Sequence, residues 1–548
     1  MNNTYKTTYV GSFLKFRRLI DWIKRLKQKP NILFITSDQH RWDCFGFEHR
    51  KVQTPHLDKL ASSGTRFTNC ITPNAVCQPA RASILTGLLP LSHGVIDNGI
   101  NLTNEMGNSG FAQQLANSGY ETALLGKAHF TSKATFKPTG TPECQFSSAD
   151  YGPHWFGPYM GFGHVELMVM GHFQRRLAPG HKFLLPFEPP NGQHFERWFH
   201  SCGEAGEARR LWEDSCDNEG LLASQTWSSM LPEKWHTSTW VADRAIKFLE
   251  TSKSKEGPFC IWASFPDPHH PFDCPAPWNK MYDPDDVDIP EFRYRDFDKR
   301  PWWHQKLYGN DQEINPNEYT NKKLGKVARI SAQTDNQLRN MTSNYFGMIS
   351  LMDHNVGRIL GALKQSKLDQ NTIVIFTSDH GELLGDHGLI LKGPTLYEGL
   401  TKVGLIFNGP NIASNQNIDQ PVSTVDLAAT FYDFCEIDNQ YDIQSRSLRK
   451  LIEGKQETRD VAYNEWRAGS DRYNLMLDLR LVRTKKYKAT FELESGDGEM
   501  YNLHEDPFEM NNLYNDLGYK KIKRELREMM LERPGDVLDT ELPRVGVN

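Results

Sequence analysis

The sequence predicts an α/β protein, a large and mostly parallel sheet flanked by helices, followed by a smaller antiparallel α+β unit. Three observations carry that expectation. First, 548 residues are enough for one large core with a second, smaller one packed against it. Second, the continuous apolar runs at 31–37, 258–265 and 372–378 have the character of strands buried on both faces of a parallel sheet. Third, shorter alternating segments take over from about residue 440, at 461–466, 479–483 and 487–493, ahead of a helix over 520–531 that stops before Pro534. Strands in a row beside a helix make an antiparallel unit. The expected division is a basic N-terminal extension at 1–30, a large α/β domain at 31–440 and a C-terminal α+β subdomain at 441–548.

Residues 1–30 are rich in Lys and Arg, with Asp21 the only acid and Phe13, Phe16, Ile20, Ile23 and Leu26 at helical spacing. Lys15, Arg17 and Arg18 interrupt the apolar stretch, which excludes a signal peptide. A basic amphipathic helix can lie on an anionic membrane, on a partner subunit or on its own protein, and the sequence leaves all three open. The first strand ends in Asp38-Gln39-His40. Ligands of open α/β sheets sit at such carboxyl ends, and two hard oxygens there suit a divalent cation; a helix cap is the other common use of such an Asp.

The next informative stretch is Cys77-Gln78-Pro79-Ala80-Arg81, closed by Gly87. Pro79 suits a first helical turn, so Cys77 is expected just before a helix N-terminus, where free amides favour anions. Arg81 lies one turn on, along the same face. As a lone C-x-P-x-R this is weak, because many core cysteines precede helices. Further on, a helix around 111–118 and a short strand lead into Lys127-Ala128-His129, two donors that could hold an oxyanion. Residues 131–235 are aromatic and without steady period, which suits a substrate-facing wall or a subunit interface. After a helix over 234–249 and the 258–265 strand comes Asp267-Pro268-His269-His270-Pro271-Phe272, a stiffly held histidine pair. The stretch 275–330, with Trp302-Trp303-His304, is expected near the pocket rim. A long helix over 344–363 feeds the 372–378 strand, which ends in Asp379-His380-Gly381-Glu382, with Asp386-His387 and Lys392 beyond.

Composition narrows the classes. A net charge of −5 with mixed signs argues against a general nucleic-acid binder. No apolar run reaches the length of a membrane span. Nine irregularly spaced cysteines, without a C-x-x-C pair or a visible leader, read as reduced thiols in a cytoplasmic protein and exclude a structural zinc of the usual kind.

Taken together, the C-Q-P-A-R, K-A-H, P-H-H-P-F and D-H-G-E segments resemble the sulfatases of the alkaline phosphatase superfamily, from residue 31 almost to the end. The resemblance implies an alkaline phosphatase-like fold, with a large central mixed, mostly parallel sheet flanked by helices. It implies that Cys77 is oxidised by a maturation enzyme to formylglycine, whose hydrate is the nucleophile. It also implies one divalent cation on Asp38, Gln39, Asp379, His380 and an oxygen of the residue at 77; calcium suits the oxygen ligands, and His380 leaves manganese as the alternative. Lys127, His129, Lys392 and Arg81 are then expected around the sulfate, and His269 at the leaving-group oxygen, with Asp386 and His387 outside the ligand set. Three positions depart from the commonest pattern: Ala80 for Ser, Gln39 for a second Asp, and Lys402-Val403-Gly404-Leu405-Ile406 for R-V-P-L-I. Gln39 is shared with choline-sulfatase-like and phosphonate-monoester-hydrolase-like branches, whereas the phosphonate branch carries Tyr and Thr in place of Lys127 and His129. The expected activity is hydrolysis of a small-molecule or carbohydrate sulfate ester. The runner-up is a phosphonate monoester or phosphodiester hydrolase, and a scaffold protein with a broken site is the outsider. A homo-oligomer and peripheral membrane contact through 1–30 remain open.

Overall fold

Among the described residues, eleven strands precede residue 430 in this computed structural model: β1 (Asn31–Ser37), β2 (Thr65–Ile71), β3 (Glu121–Gly126), β4 (His164–Leu167), β5 (Thr226–Ser229), β6 (Phe259–Ser264), β7 (Phe272–Pro275), β8 (Thr372–Ser378), β9 (Lys402–Asn408), β10 (Gln416–Ile418) and β11 (Val422–Ser423). The structure describes residues 29–169, 188–217, 222–223, 225–252, 257–308, 333–469, 475–535 and 542–546. The basic helix expected over 1–30 lies outside them.

Nine of these strands form one sheet in the order β10-β2-β9-β8-β1-β6-β3-β4, with β11 also paired to β2. Only β9 runs against its neighbours β8 and β2. The sheet is therefore mixed and mostly parallel, as the sequence predicts. Residues alternate between its faces: Ile32, Phe34, Leu124, Trp262 and Ile375 enter one core, Leu33, Ile35, Leu125, Ala263 and Phe376 the other. Leu85, Phe111, Leu427 and Phe431 come from helices on the first face. Leu57, Val241, Met352 and Val356 come from helices on the second.

Register places the functional loops. In β1, Ser37 pairs with Ser378 of β8 and Thr36 with Ser264 of β6, while Ser264 also pairs with Gly126 of β3. Asp379, Asp38 and Lys127 therefore leave adjacent parallel strands at the same edge, with the loop to His269 between them.

The C-terminal unit is a four-stranded antiparallel sheet, β12 (Ala462–Ala468), β13 (Leu477–Arg483), β14 (Tyr487–Glu492) and β15 (Gly498–Asn502), paired in sequence order. The helix Lys520–Leu531 lays Leu526 and Met530 against Val482, Phe491 and Met500. A separate core joins the two units through Trp303, Leu383, Tyr397, Trp466, Leu479 and Tyr501. Leu448, Leu451 and Ile452 belong to the core of the large sheet.

Two local expectations change. The long helix spans Asp335–Gln365, starting earlier than the apolar period suggests, because Thr334 and Gln337 form a capping box around its first turn. Trp303 and His304 are buried between the units instead of lining a rim. In β9, Gly404 faces the Phe45 ring so closely that a Cβ would meet Cζ at 2.8 Å, so this departure from the family pattern is one of packing.

Candidate active site

The helix Cys77–Thr86 begins at Cys77 itself, one residue earlier than the proline suggests, with Val76 extended before it and Gly87 left-handed after it. The preceding loop is tied to the C-terminal sheet: Asn464 Nδ2 donates to the Thr72 carbonyl at 2.8 Å, and Glu465 N to that of Pro73 at 2.9 Å. Asn74 Oδ1 accepts from Val76 N at 2.8 Å. Cys77 is thus presented from a fixed turn against the sheet edge.

Around its sulfur, Lys392 Nζ lies at 2.9 Å, His380 Nε2 at 3.1 Å, Asp38 Oδ1 at 3.6 Å and Lys127 Nζ at 4.0 Å. Burial and the Asp38 carboxylate push the thiol up, but Lys127, Lys392 and His380 outweigh them and bring it down to about 7. Burial also opposes ionisation of Asp38, yet Lys127, Arg81 and Lys392 hold it well below the usual carboxylate range. Lys127 Nζ sits 2.5 Å from Asp38 Oδ2.

Arg81 is fully buried and turned toward the carboxylates. Its Nε donates to Asp379 Oδ2 at 2.8 Å and one terminal nitrogen to Asp38 Oδ2 at 3.2 Å. The other terminal nitrogen donates to Ser264 Oγ and to the Lys127 carbonyl, both at 2.8 Å. The guanidinium bridges the two strand ends.

Oxygen, nitrogen and sulfur atoms of Asp38, Cys77, Asp379 and His380 all lie within 4.8 Å of one another, fully buried. His380 Nδ1 donates to the Gly381 carbonyl at 2.8 Å, which leaves the Nε2 lone pair for a ligand. Gln39 has φ +64°; its Nε2 donates to Glu382 and contacts His270 Nδ1 at 3.1 Å, so Oε1 faces Lys392 Nζ at 3.0 Å. Two carboxylates and an oriented imidazole fit a divalent cation, while the Gln39 amide oxygen is turned to Lys392.

His269 Nδ1 donates to the His270 carbonyl at 2.5 Å, and its Nε2 meets Lys392 Nζ at 2.9 Å. His270 stacks on His269 at 4.0 Å and bonds Gln39. His129 enters from a left-handed residue, φ +53°. Burial and the charges of Lys127, Lys133 and Arg81 keep its imidazole neutral, well below the ordinary histidine range. Asp386 is held by Arg41 at 2.8 Å and His387 stacks on Tyr397 at 3.9 Å, so both stay outside the ligand set.

Sequence reading passed over four residues here. Glu382 fixes the Gln39 amide and accepts from Leu384 N and Leu391 N; its place in Asp379-His380-Gly381-Glu382 was a usable signal. Ser264, Glu143 and Lys133 had none. Burial, then Lys127, lowers Lys133 to about 7.

The family profile described as Sulfatase matches residues 30–437, and one described as N-sulphoglucosamine sulphohydrolase, C-terminal, matches 385–534. The chain is similar to an arylsulfatase from Clostridium perfringens, 28% identical over 92% of this chain and 94% of that one. It is 25% identical to a choline-sulfatase from Rhizobium meliloti, over 88% of this chain and 82% of that one. Among solved structures, the phosphonate monoester hydrolase of Agrobacterium radiobacter superposes with a TM-score of 0.69 at 24% identity, covering 92% and 95% of the two chains. The match to the Sulfatase profile spans most of the chain, which therefore belongs to the sulfatase family of sulfuric ester hydrolases.

Proposed function

We propose that the chain hydrolyses a small-molecule or carbohydrate sulfate monoester to an alcohol and sulfate, with Cys77 converted to formylglycine and a divalent cation held by Asp38, Gln39, Asp379 and His380. The observation that carries this reading is the convergence of Lys127, Lys392 and His380 on the buried Cys77 sulfur. Formylglycine, made by a maturation enzyme, supplies a hydrated aldehyde with one hydroxyl for attack and one for release of sulfate. The cation, calcium by its oxygen donors, supplies Lewis acidity.

The chain's own residues do the rest. A sulfate monoester arrives as an anion, and Lys127 and Lys392 offset its charge in a water-poor site where such fields are strong. Neutral His129 holds an oxygen without adding charge. His269 keeps Nδ1 on a carbonyl, so Nε2 is the atom that exchanges a proton at the departing oxygen. Arg81 holds Asp38 and Asp379 in register and balances their charge.

A phosphonate monoester or phosphodiester hydrolase is the second reading, favoured by Gln39, His380 and Ala80. Lys127 and His129, where that branch has Tyr and Thr, favour sulfate. The deciding experiment is mass spectrometry of the Cys77 peptide, with sulfate-ester and phosphonate-ester rates measured on the same preparation. An aldehyde-bearing peptide and a sulfate preference are expected. An unmodified peptide in a fully active preparation overturns the nucleophile, and a phosphonate preference overturns the substrate class.

A further inference from the structure

We propose that Glu143 is a positioning residue for the reaction, a carboxylate clamp that aims His129 at the substrate; this rests on the place of His129 in the chemistry proposed above. Glu143 is buried. Its Oε2 accepts from His129 N at 2.6 Å, and its Oε1 from Phe130 N and Thr131 N, both at 3.1 Å. Thr131 Oγ1 at 3.3 Å and the Tyr159 hydroxyl at 2.8 Å complete the set around Oε1. One carboxylate thus gathers three consecutive amides that neither helix nor sheet satisfies.

The need for such a clamp follows from His129 itself. The other imidazoles around Cys77 are oriented through their rings: His380 Nδ1 on Gly381, His269 Nδ1 on His270, His270 Nδ1 on Gln39. His129 has no such anchor among the described residues, since Nδ1 and Nε2 are both buried without a hydrogen-bond partner there. The one N–H of the neutral ring is left to donate to a substrate oxygen, and with no bond of its own to hold the ring, its aim depends on the backbone that carries it. That backbone is left-handed at φ +53°, a conformation a residue with a Cβ holds only when its surroundings determine it. Glu143 supplies that determination at the His129 amide and at the next two.

The test is a double-mutant cycle between Glu143→Ala and His129→Ala, read as kcat/KM on 4-nitrophenyl sulfate with the mature enzyme. Glu143→Ala alone is expected to lower kcat/KM by roughly tenfold to a hundredfold, the scale of an ångström-sized misplacement. In the His129→Ala background the same change is expected to cost less than about threefold, because residues acting as a unit are not additive. Glu143→Gln keeps the side-chain volume and one accepting oxygen; it is expected to fall between wild type and Glu143→Ala, and it carries the same cycle if the alanine variant does not fold. An equal fold-loss in both backgrounds overturns the clamp while leaving His129 in the reaction. A His129→Ala enzyme with wild-type kcat/KM overturns the role of His129, and the clamp's purpose with it.

Discussion

Cys77 shows how neighbours decide the chemistry of a buried group. Eight free cysteines are buried among the described residues; burial raises Cys70 and Cys260 well above the ordinary thiol range, whereas Cys77 is lowered to about 7 by Lys127, Lys392 and His380. A converging set of cations at one thiol in a cleft marks function better than burial does. Replacement of Cys77 by Ala is therefore expected to leave the thermal melt close to wild type and to remove turnover almost entirely. Near wild-type turnover in that variant would sink the assignment of residue 77 as nucleophile. Substrate class is tested at Lys127 and His129. A sulfate monoester spreads one charge over three free oxygens, whereas a phosphonate monoester puts carbon where one oxygen was. Exchange of Lys127 for Tyr and His129 for Thr should depress sulfate hydrolysis more than phosphonate hydrolysis. The expected change is about two orders of magnitude in the ratio of the two kcat/KM values, or ~3 kcal/mol of differential transition-state binding. Equal losses on both substrates would make the pair structural.

At the scale of elements, the site is a consequence of strand register: β8, β1, β6 and β3 stand side by side and end together. Asp38 and Asp379 come from neighbouring strand ends and share Arg81, so they act as one unit. Alanine at either position is expected to abolish bound metal and turnover together, with the double variant little worse than either single one. Metal content by plasma mass spectrometry checks this, and full occupancy in both single variants would refute the shared site. The elements that carry ligands were legible because β1 and β8 are buried on both faces and read as unbroken apolar runs. β2 was not, because Arg66, Thr68 and Asn69 are partly solvated and break the run. Nor was the clamp legible: Glu143 bonds the amides of His129, Phe130 and Thr131, well before it in the chain, and no spacing in the chain encodes that. The bonds of Arg81 to Asp38 and Asp379 were not legible either, since helix geometry gives the face of a side chain and not which partner on that face it takes.

At the scale of the whole molecule, the C-terminal sheet is tied to the large unit through a buried ionic cluster. Glu398, from the short helix that precedes β9, bonds Arg483 of β13 at 3.2 Å. Lys488 of β14 lies between Glu398 and Glu509, and Glu509 Oε2 accepts from Glu398 N at 2.6 Å. Two carboxylates share one lysine here, and their environments push them apart. Burial works against the charge of Glu398, but Arg483 and Lys488 hold it down at about 2. Burial and the charge of Glu398 push Glu509 up to about 7 against the pull of Lys488. The signs follow by linkage from the unfolded value of 4.5. Glu398 contributes stability that is present above 4.5 and lost as pH falls toward 2. Glu509, raised above its unfolded value, contributes stability that is present below 4.5 and lost as pH rises through 7. Docking of the subdomain is thus favoured in mildly acid solution, and alkaline conditions force a second buried charge beside Glu398. Glu509→Gln removes that charge while keeping the side-chain volume. It is expected to raise the melting temperature relative to wild type above pH 7, by the equivalent of a few kcal/mol at most, and to change it little near pH 5. Melting curves of both proteins at the two pH values check this. A variant destabilised equally at both would show that Glu509 is ionised throughout and that its pairing with Lys488, not its neutrality, holds the two units together.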